Sequence, residues 1–183
     1  MKMILASNNA KKLRELKAIL SDMGVELCSQ REAGCDFEVE ETGTTFAENA
    51  YLKAAAVVDA TGVAAIADDS GLMVDALNGE PGVYSARYMG EDTPYSVKNA
   101  ELIRRCEGVP DEKRGARFVC VIACAYPDGT VDTAKGVIEG RLAHEPAGEN
   151  GFGYDPIFYL PEYGCPTAEL DPATKNRLSH RGK

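Results

Sequence analysis

Two adjacent carboxylates, Asp68 and Asp69, close the apolar run Ala64 to Ala67, and Ser70-Gly71 follow at once. A buried carboxylate is costly unless it is paired or liganded, so acids placed there ask for a cation. Upstream, Glu38, Glu40 and Glu41 crowd a second acidic stretch. Together these acids could hold Mg²⁺, which takes oxygen ligands and usually needs only one or two carboxylates, with water and substrate phosphate completing its shell. The plain alternative is a solvated acidic loop beside a strand-end turn. Lys53 sits in YLKAAA, a nearly apolar face. A lysine there either snorkels to solvent or reaches into a cleft to meet phosphate.

Three further stretches hold chemistry-bearing residues. SNNAKK, residues 7–12, stands at a strand–helix junction, where free N–H groups and the positive end of the helix dipole attract anions. It contains no glycine, so it is neither a Walker loop nor a dinucleotide fingerprint. A capped helix with solvated lysines is the competing reading. NGFGYDP, residues 150–156, sets aromatics between glycines beside an acid, suited to stacking on a flat base while a polar group reads its edge. A tight turn around a core aromatic would look the same. SHRG, residues 179–182, places His180 next to Arg181, with Lys175 upstream.

Positioning these groups requires alternating strands and helices. Residues 3–7 read as a strand and 8–20 as an amphipathic helix with Leu13, Leu16, Ile19 and Leu20 at helical spacing. Residues 25–30 read as a strand. Residues 44–62 form a helix opened by a Thr45/Glu48 capping box and stopped by Gly62. The strand 63–67 is expected to end at the two acids, with Ser70-Gly71 turning the chain sharply. Residues 78–90 read as an ordered loop or flap, and 93–108 as a helix with Pro94 near its first turn. Residues 116–142 read as an antiparallel meander turning at Pro127-Asp128-Gly129, and 153–162 as a strand. A helix begins near 171. This order gives a mixed α/β sheet with lobes flanking a cleft.

Composition narrows the partners. The chain has 183 residues, 44% of them hydrophobic, enough for one domain with a sizeable core. No apolar run is long enough for a membrane span, and the N-terminal stretch is too short for a signal peptide. The net charge of −9 argues against nucleic acid and anionic membranes as partners. It does not argue against a small anion in a cleft whose local cations reverse the field. Six cysteines without a C-x-x-C pair, and two histidines, speak against structural zinc and for small core residues.

SNNAKK, EETGTTFAENAYLKA, IADDSGL, GEPGVYSARY, GFGYDPIF and LSHRG occur in one order. In that order the chain closely resembles the non-canonical purine nucleoside triphosphate pyrophosphatases, the inosine/xanthosine triphosphatase or Ham1-like family, over residues 3–182. The resemblance implies an inosine triphosphatase-like α/β fold, with an elongated mixed central sheet and two α/β lobes flanking a substrate cleft. Residues 1–183 would form a single domain, and the protein a cytoplasmic homodimer. The implied activity is hydrolysis of ITP, dITP and XTP to the monophosphate and pyrophosphate, with Mg²⁺ as cofactor and water attacking the α-phosphorus. By motif, Ser7, Asn8, Asn9, Ala10, Lys11 and Lys12 would cradle the triphosphate. Glu41 would help bind metal and Lys53 would contact phosphate as part of the catalytic set. Asp69 would bind metal and accept a proton from the attacking water, with Asp68 assisting. Ser70 would touch the substrate. Phe152, Gly153, Tyr154 and Asp155, with Lys175, His180 and Arg181, would recognise the purine.

The chain departs from the family pattern in two places. Ser7-Asn8-Asn9 stands where the family often shows Thr-Gly-Asn, and Asn tolerates the left-handed region better than most replacements for Gly. The chain stops just after His180-Arg181, where family members usually continue into a helix. A short terminal helix is marginal, so the tail is expected to be mobile when empty and ordered by a bound base. Rival readings fare less well. A haloacid dehalogenase-type phosphatase needs D-x-D after its first strand, where this chain has Ser7-Asn8-Asn9. A nucleotide-sensing module without catalysis could dispense with the carboxylates, yet Glu41 and Asp69 are both present. A nucleic-acid-binding protein would carry a basic stripe.

Overall fold

The computed structural model describes residues 1–183. In chain order it contains β1 (Lys2–Leu5), α1 (Ala10–Leu20), β2 (Glu26–Ser29), α2 (Phe46–Thr61), β3 (Ala65–Val74), α3 (Tyr95–Arg105), β4 (Gly115–Ala125), β5 (Val131–Leu142), β6 (Phe158–Leu160), β7 (Cys165–Pro166) and α4 (Pro172–Leu178). The strands form a seven-stranded sheet in the order β2-β1-β3-β4-β5-β6-β7. β1 runs parallel to β2 and β3, whereas β6 is antiparallel to β5 and β7. The expected mixed α/β sheet is present.

Alternation explains how the parallel end of the sheet is covered. Side chains on a strand point to opposite faces in turn. Met3 and Leu5 of β1 and Ile66 of β3 pack with Leu16 of α1. Ile4, Ala65 and Ala67 pack instead with Ala50, Ala54 and Val57 of α2. Each helix therefore seals one face. These residues lie in a compact unit made of Met1–Asp69 and Cys120–Gly136. A second unit, Ser70–Val119 with Val137–Lys183, has its own core around Leu72, Val74, Leu102, Phe118, Leu142, Ile157 and Phe158. None of the helices is long and apolar enough to cross a membrane. All six cysteines are free, and Cys35, Cys106 and Cys120 are buried.

Several expectations are corrected. β3 does not end at the acids but continues through Ser70-Gly71 to Val74. Leu72 and Val74 keep the alternation going and are buried in the second core, so burial overrides the local turn signal. Within 116–142 there is one hairpin, β4–β5, closed by a turn in which the Tyr126 N–H donates to the Thr130 carbonyl. Of the strand expected at 153–162 only Phe158–Leu160 remains, because Asp155–Ile157 forms a 3-10 turn around Pro156.

The helix carrying Lys53 starts as its sequence requires. Thr45 Oγ1 accepts from the Glu48 N–H at 3.1 Å, and Glu48 Oε2 accepts from the Thr44 N–H at 2.7 Å. Gly62 closes the helix in the left-handed region at φ 67°. Thr45→Ala removes one cap bond, and we expect it to lower stability by about 1 kcal/mol. Urea unfolding of the two proteins checks this, and an unchanged midpoint would remove the cap from the account.

Candidate active site

Asp68 and Asp69 are both buried in mid-strand, and alternation sends their side chains to opposite faces. On the α1 face, Asp68 Oδ1 lies 2.7 Å from Lys12 Nζ. Its Oδ2 lies 3.1 Å from the Cys120 thiol. On the α2 face, Asp69 Oδ1 lies 3.1 Å from Lys53 Nζ, which also reaches Glu41 Oε1 at 3.0 Å. The main-chain carbonyl of Asp68 accepts from Lys53 at 2.8 Å and from Lys12 at 3.4 Å. Lys53 reaches this cluster because it lies one residue before Ala54 on the stripe of α2 that faces the sheet. It does not snorkel.

Burial pushes the Asp69 carboxyl above the usual carboxylate range; Lys53 opposes that push and Glu41 adds to it. Burial pulls the Lys53 ammonium down, but Asp69 and Glu41 together outweigh it and leave it above the ordinary lysine value. Two carboxylates thus share one ammonium, and Asp69 Oδ2 is buried without a hydrogen-bond partner. An orphaned hard oxygen in a locally anionic cluster fits a divalent cation or a water. No three His, Cys, Asp or Glu side chains gather as a metal cage. A Mg²⁺ site that shares its shell with phosphate needs none.

The acidic loop before α2 is tied down by a residue outside the expected set. Asn49, fully buried on α2, accepts from the Gly43 N–H at 2.8 Å and donates to its carbonyl at 3.4 Å. A Cβ on Gly43 would fall 2.6 Å from Glu48 Cβ and 2.7 Å from Asn49 Oδ1, so only glycine fits. This clamp sits two residues from Glu41, while Glu38 and Glu40 remain exposed. The signal in the sequence was a polar residue on an apolar helix stripe.

At the start of α1, Asn9 Oδ1 accepts from the Lys11 and Lys12 N–H groups at 3.0 and 3.2 Å. Ser7 Oγ accepts from the Asn9 N–H at 3.0 Å. The helix is therefore capped by its own side chain. Asn8, Asn9, Ala10 and Lys11 are exposed, Ser7 and Lys12 half-buried.

The expected base-reading residues cluster in the second unit. Asp155 Oδ2 accepts from Lys175 Nζ at 2.6 Å and from the Phe152 N–H at 2.9 Å, and its Oδ1 lies 2.8 Å from Thr167 Oγ1. Lys175 Nζ and the Arg181 guanidinium lie 5.1 and 5.6 Å from the Phe152 ring centre. Arg181 also donates to Ser70 Oγ at 3.3 Å. His180 stacks on Phe118 with ring centres 4.7 Å apart. A Cβ on Gly151 would lie 2.1 Å from Asp155 Oδ2, which makes glycine obligatory there. Tyr154 donates to the Ser85 carbonyl at 2.5 Å, and Asn99 donates to the Gly153 carbonyl at 3.2 Å. Thr167, Ser85 and Asn99 were not singled out, because their partners are distant in sequence. The expected mobile tail is corrected: Ser179, His180 and Arg181 are buried, and packing rather than helix length holds them.

A family model described as the Ham1 family matches residues 3–183. The chain belongs to the Ham1 family. It is 53% identical over 183 residues to the dITP/XTP pyrophosphatase of Desulforamulus reducens, covering all of this chain and 91% of that protein. It is 51% identical over 184 residues to the dITP/XTP pyrophosphatase of Vibrio parahaemolyticus, covering all of this chain and 92% of that one. The Ham1 protein of Staphylococcus aureus superposes with a TM-score of 0.87 at 44% identity, over 99% of this chain and 92% of its own. A Ham1 protein of Coxiella burnetii gives 0.89 at 43% identity, over 100% and 93%.

Three outcomes follow for this Ham1-family chain. Asp69→Asn should remove turnover while the fold persists; retention of more than about a tenth of wild-type kcat, under ~1.4 kcal/mol, would exclude a base at this position. Without added metal, the raised Asp69 pKa contributes stability that is complete below the unfolded carboxyl value. That contribution is lost as pH rises through the folded value. The Tm of Asp69→Asn relative to wild type should therefore rise as pH rises above the unfolded carboxyl value of about 4. Calorimetric scans check the sign, and a relative Tm that falls would contradict it. Separately, Arg181→Ala should raise KM for ITP more than it lowers kcat. Steady-state kinetics decide this, and an unchanged KM with a large fall in kcat would move Arg181 to the chemistry.

Proposed function

We propose that this chain hydrolyses non-canonical purine nucleoside triphosphates (ITP, dITP and XTP) to the monophosphate and pyrophosphate. Family membership supports the reaction class. The observation that carries the reading is the buried Asp69 carboxylate, one oxygen held by Lys53 and the other without a partner. Asp69 and Glu41 would hold Mg²⁺, which when bound supplies charge neutralisation at phosphate and a more acidic water. Asp69 accepts the proton of the water that attacks the α-phosphorus. Lys53, which has three acceptors around it, exchanges one for a phosphate oxygen and stabilises the charge that builds there. Lys12 takes a second phosphate oxygen, and Ser7 to Lys11 line the same segment. The expected homodimer remains part of this reading.

The base pocket is read as an array of donors and one acceptor. Arg181, His180 and the main-chain N–H groups of Gly153 and Tyr154 would face a 6-oxo purine, since the Phe152 and Asp155 N–H groups are bonded within the loop. Phe152, with two cations near its ring, offers a stacking surface. Adenine presents an amino donor where these donors expect an oxygen, and donor facing donor is rejected. We therefore expect kcat/KM for ITP and XTP to exceed that for ATP by at least about a hundredfold. GTP, which shares the 6-oxo group, would be excluded through its 2-amino group. Pyrophosphate release measured over ITP, dITP, XTP, ATP and GTP, with and without Mg²⁺, checks the reading. Equal kcat/KM for ATP and ITP would contradict it, and undiminished activity in chelator would remove the metal from it.

A further inference from the structure

The acid next to the proposed base has a different duty. Asp68 has a fully buried side chain, and its two oxygens are matched to two donors: Lys12 Nζ on Oδ1 and the Cys120 thiol on Oδ2. Cys120 is itself buried and lies on β4. Its place follows from alternation, since Ile122 and Cys124 of that strand pack on the α1 face, whereas Val121 and Ala123 pack on the α2 face. The thiol therefore belongs to the α1 face, as do Asp68 and Lys12. Lys12 makes two contacts with Asp68, one to the carboxylate and one to the main-chain carbonyl. An ammonium has three N–H bonds, so one remains for a ligand. Its side chain keeps 18% of its exposure.

We propose that Asp68, braced from behind by the Cys120 thiol, is a positioning residue that aims the Lys12 ammonium at phosphate, and is not a ligand of the divalent cation. The assignment rests on the reading that Lys12 contacts the triphosphate. Both carboxylate oxygens of Asp68 are directed to the face opposite Asp69 and Glu41, and each already has a donor. The Cys120 bond on Oδ2 opposes rotation of the Asp68 carboxylate about its last bond and so fixes the direction in which Oδ1 holds Lys12. A weak thiol donor suffices, because its task is orientation rather than charge.

The test uses binding readouts that need no turnover. Calorimetry with inorganic tripolyphosphate reads the Lys12 contact, and electron paramagnetic resonance reads Mn²⁺ binding to the phosphate-free protein. Lys12→Ala and Asp68→Asn should each weaken tripolyphosphate about tenfold, the worth of one charge-assisted contact. The double variant should be no weaker than either. Asp68→Asn should leave Mn²⁺ affinity unchanged, while Asp69→Asn weakens it. Cys120→Ala should weaken tripolyphosphate in the wild-type background but not beside Lys12→Ala, and Cys120→Ser should restore it. If Asp68→Asn does not fold, the Cys120 variants with and without Lys12 carry the same test. Multiplying effects of Lys12→Ala and Asp68→Asn, Cys120→Ala losses that persist beside Lys12→Ala, or an Asp68→Asn loss of Mn²⁺ equal to that of Asp69→Asn would overturn the assignment. Failure of wild-type protein to release pyrophosphate from ITP would instead overturn the proposed function, and leaves these binding results to be judged by themselves.

Discussion

Two neighbouring carboxylates inside one strand set the terms for the first unit. Removing a carboxylate from water costs several kcal/mol even after the protein relaxes, against a total stability of about 5–15 kcal/mol for a domain. Each acid must therefore meet a donor where it is buried. The pleat sends Asp68 and Asp69 to opposite faces, and each side chain is paired with a different lysine. The helices that seal the two faces supply one lysine each, Lys12 from α1 and Lys53 from α2. The Asp68 carbonyl, which accepts from both ammoniums, joins the two arrangements through the backbone itself.

Adjacency in sequence thus produces division of labour rather than redundancy. Each side-chain oxygen of Asp68 already meets a donor, Lys12 on one and Cys120 on the other. Asp69 shares Lys53 with Glu41, keeps one oxygen without a partner and carries a raised pKa. A group left partly unsatisfied in a buried setting is the kind that chemistry requires, because it can still take a proton or a ligand. The same residue type performs two tasks because the surrounding charges differ.

The second unit applies the same rule to a loop. Asp155 collects the Phe152 N–H, the Thr167 hydroxyl and the Lys175 ammonium. This orders residues 151–155 with no long element of secondary structure. The buried Asp155–Lys175 pair needs its additional hydrogen bonds to offset desolvation, and it has them. The cost in sequence freedom falls on Gly151, where a single added carbon would collide with the carboxylate. Arg181 and His180 are held by packing and by contacts to Ser70 and Phe118.

The alternation of strands and helices, the capping box of α2 and its glycine stop were all legible, because local periodicity and capping chemistry act within a few residues. Membership of the family was legible in six ordered segments. The length of β3 was not, since Ser70-Gly71 looks like a turn until Leu72 and Val74 find a core to fill. Nor was the strand at 153–162, where Pro156 and the demands of Asp155 favour a tight turn. The sequence by itself determined which residues could do chemistry and, through alternation, that Asp68 and Asp69 must part company. Only the tertiary structure decided their partners. Cys120, Thr167 and Asn99 act on groups far away or on another element. No short-range pattern reports a contact made by burial, because the free energy that selects it comes from the assembled core and not from the neighbouring residues.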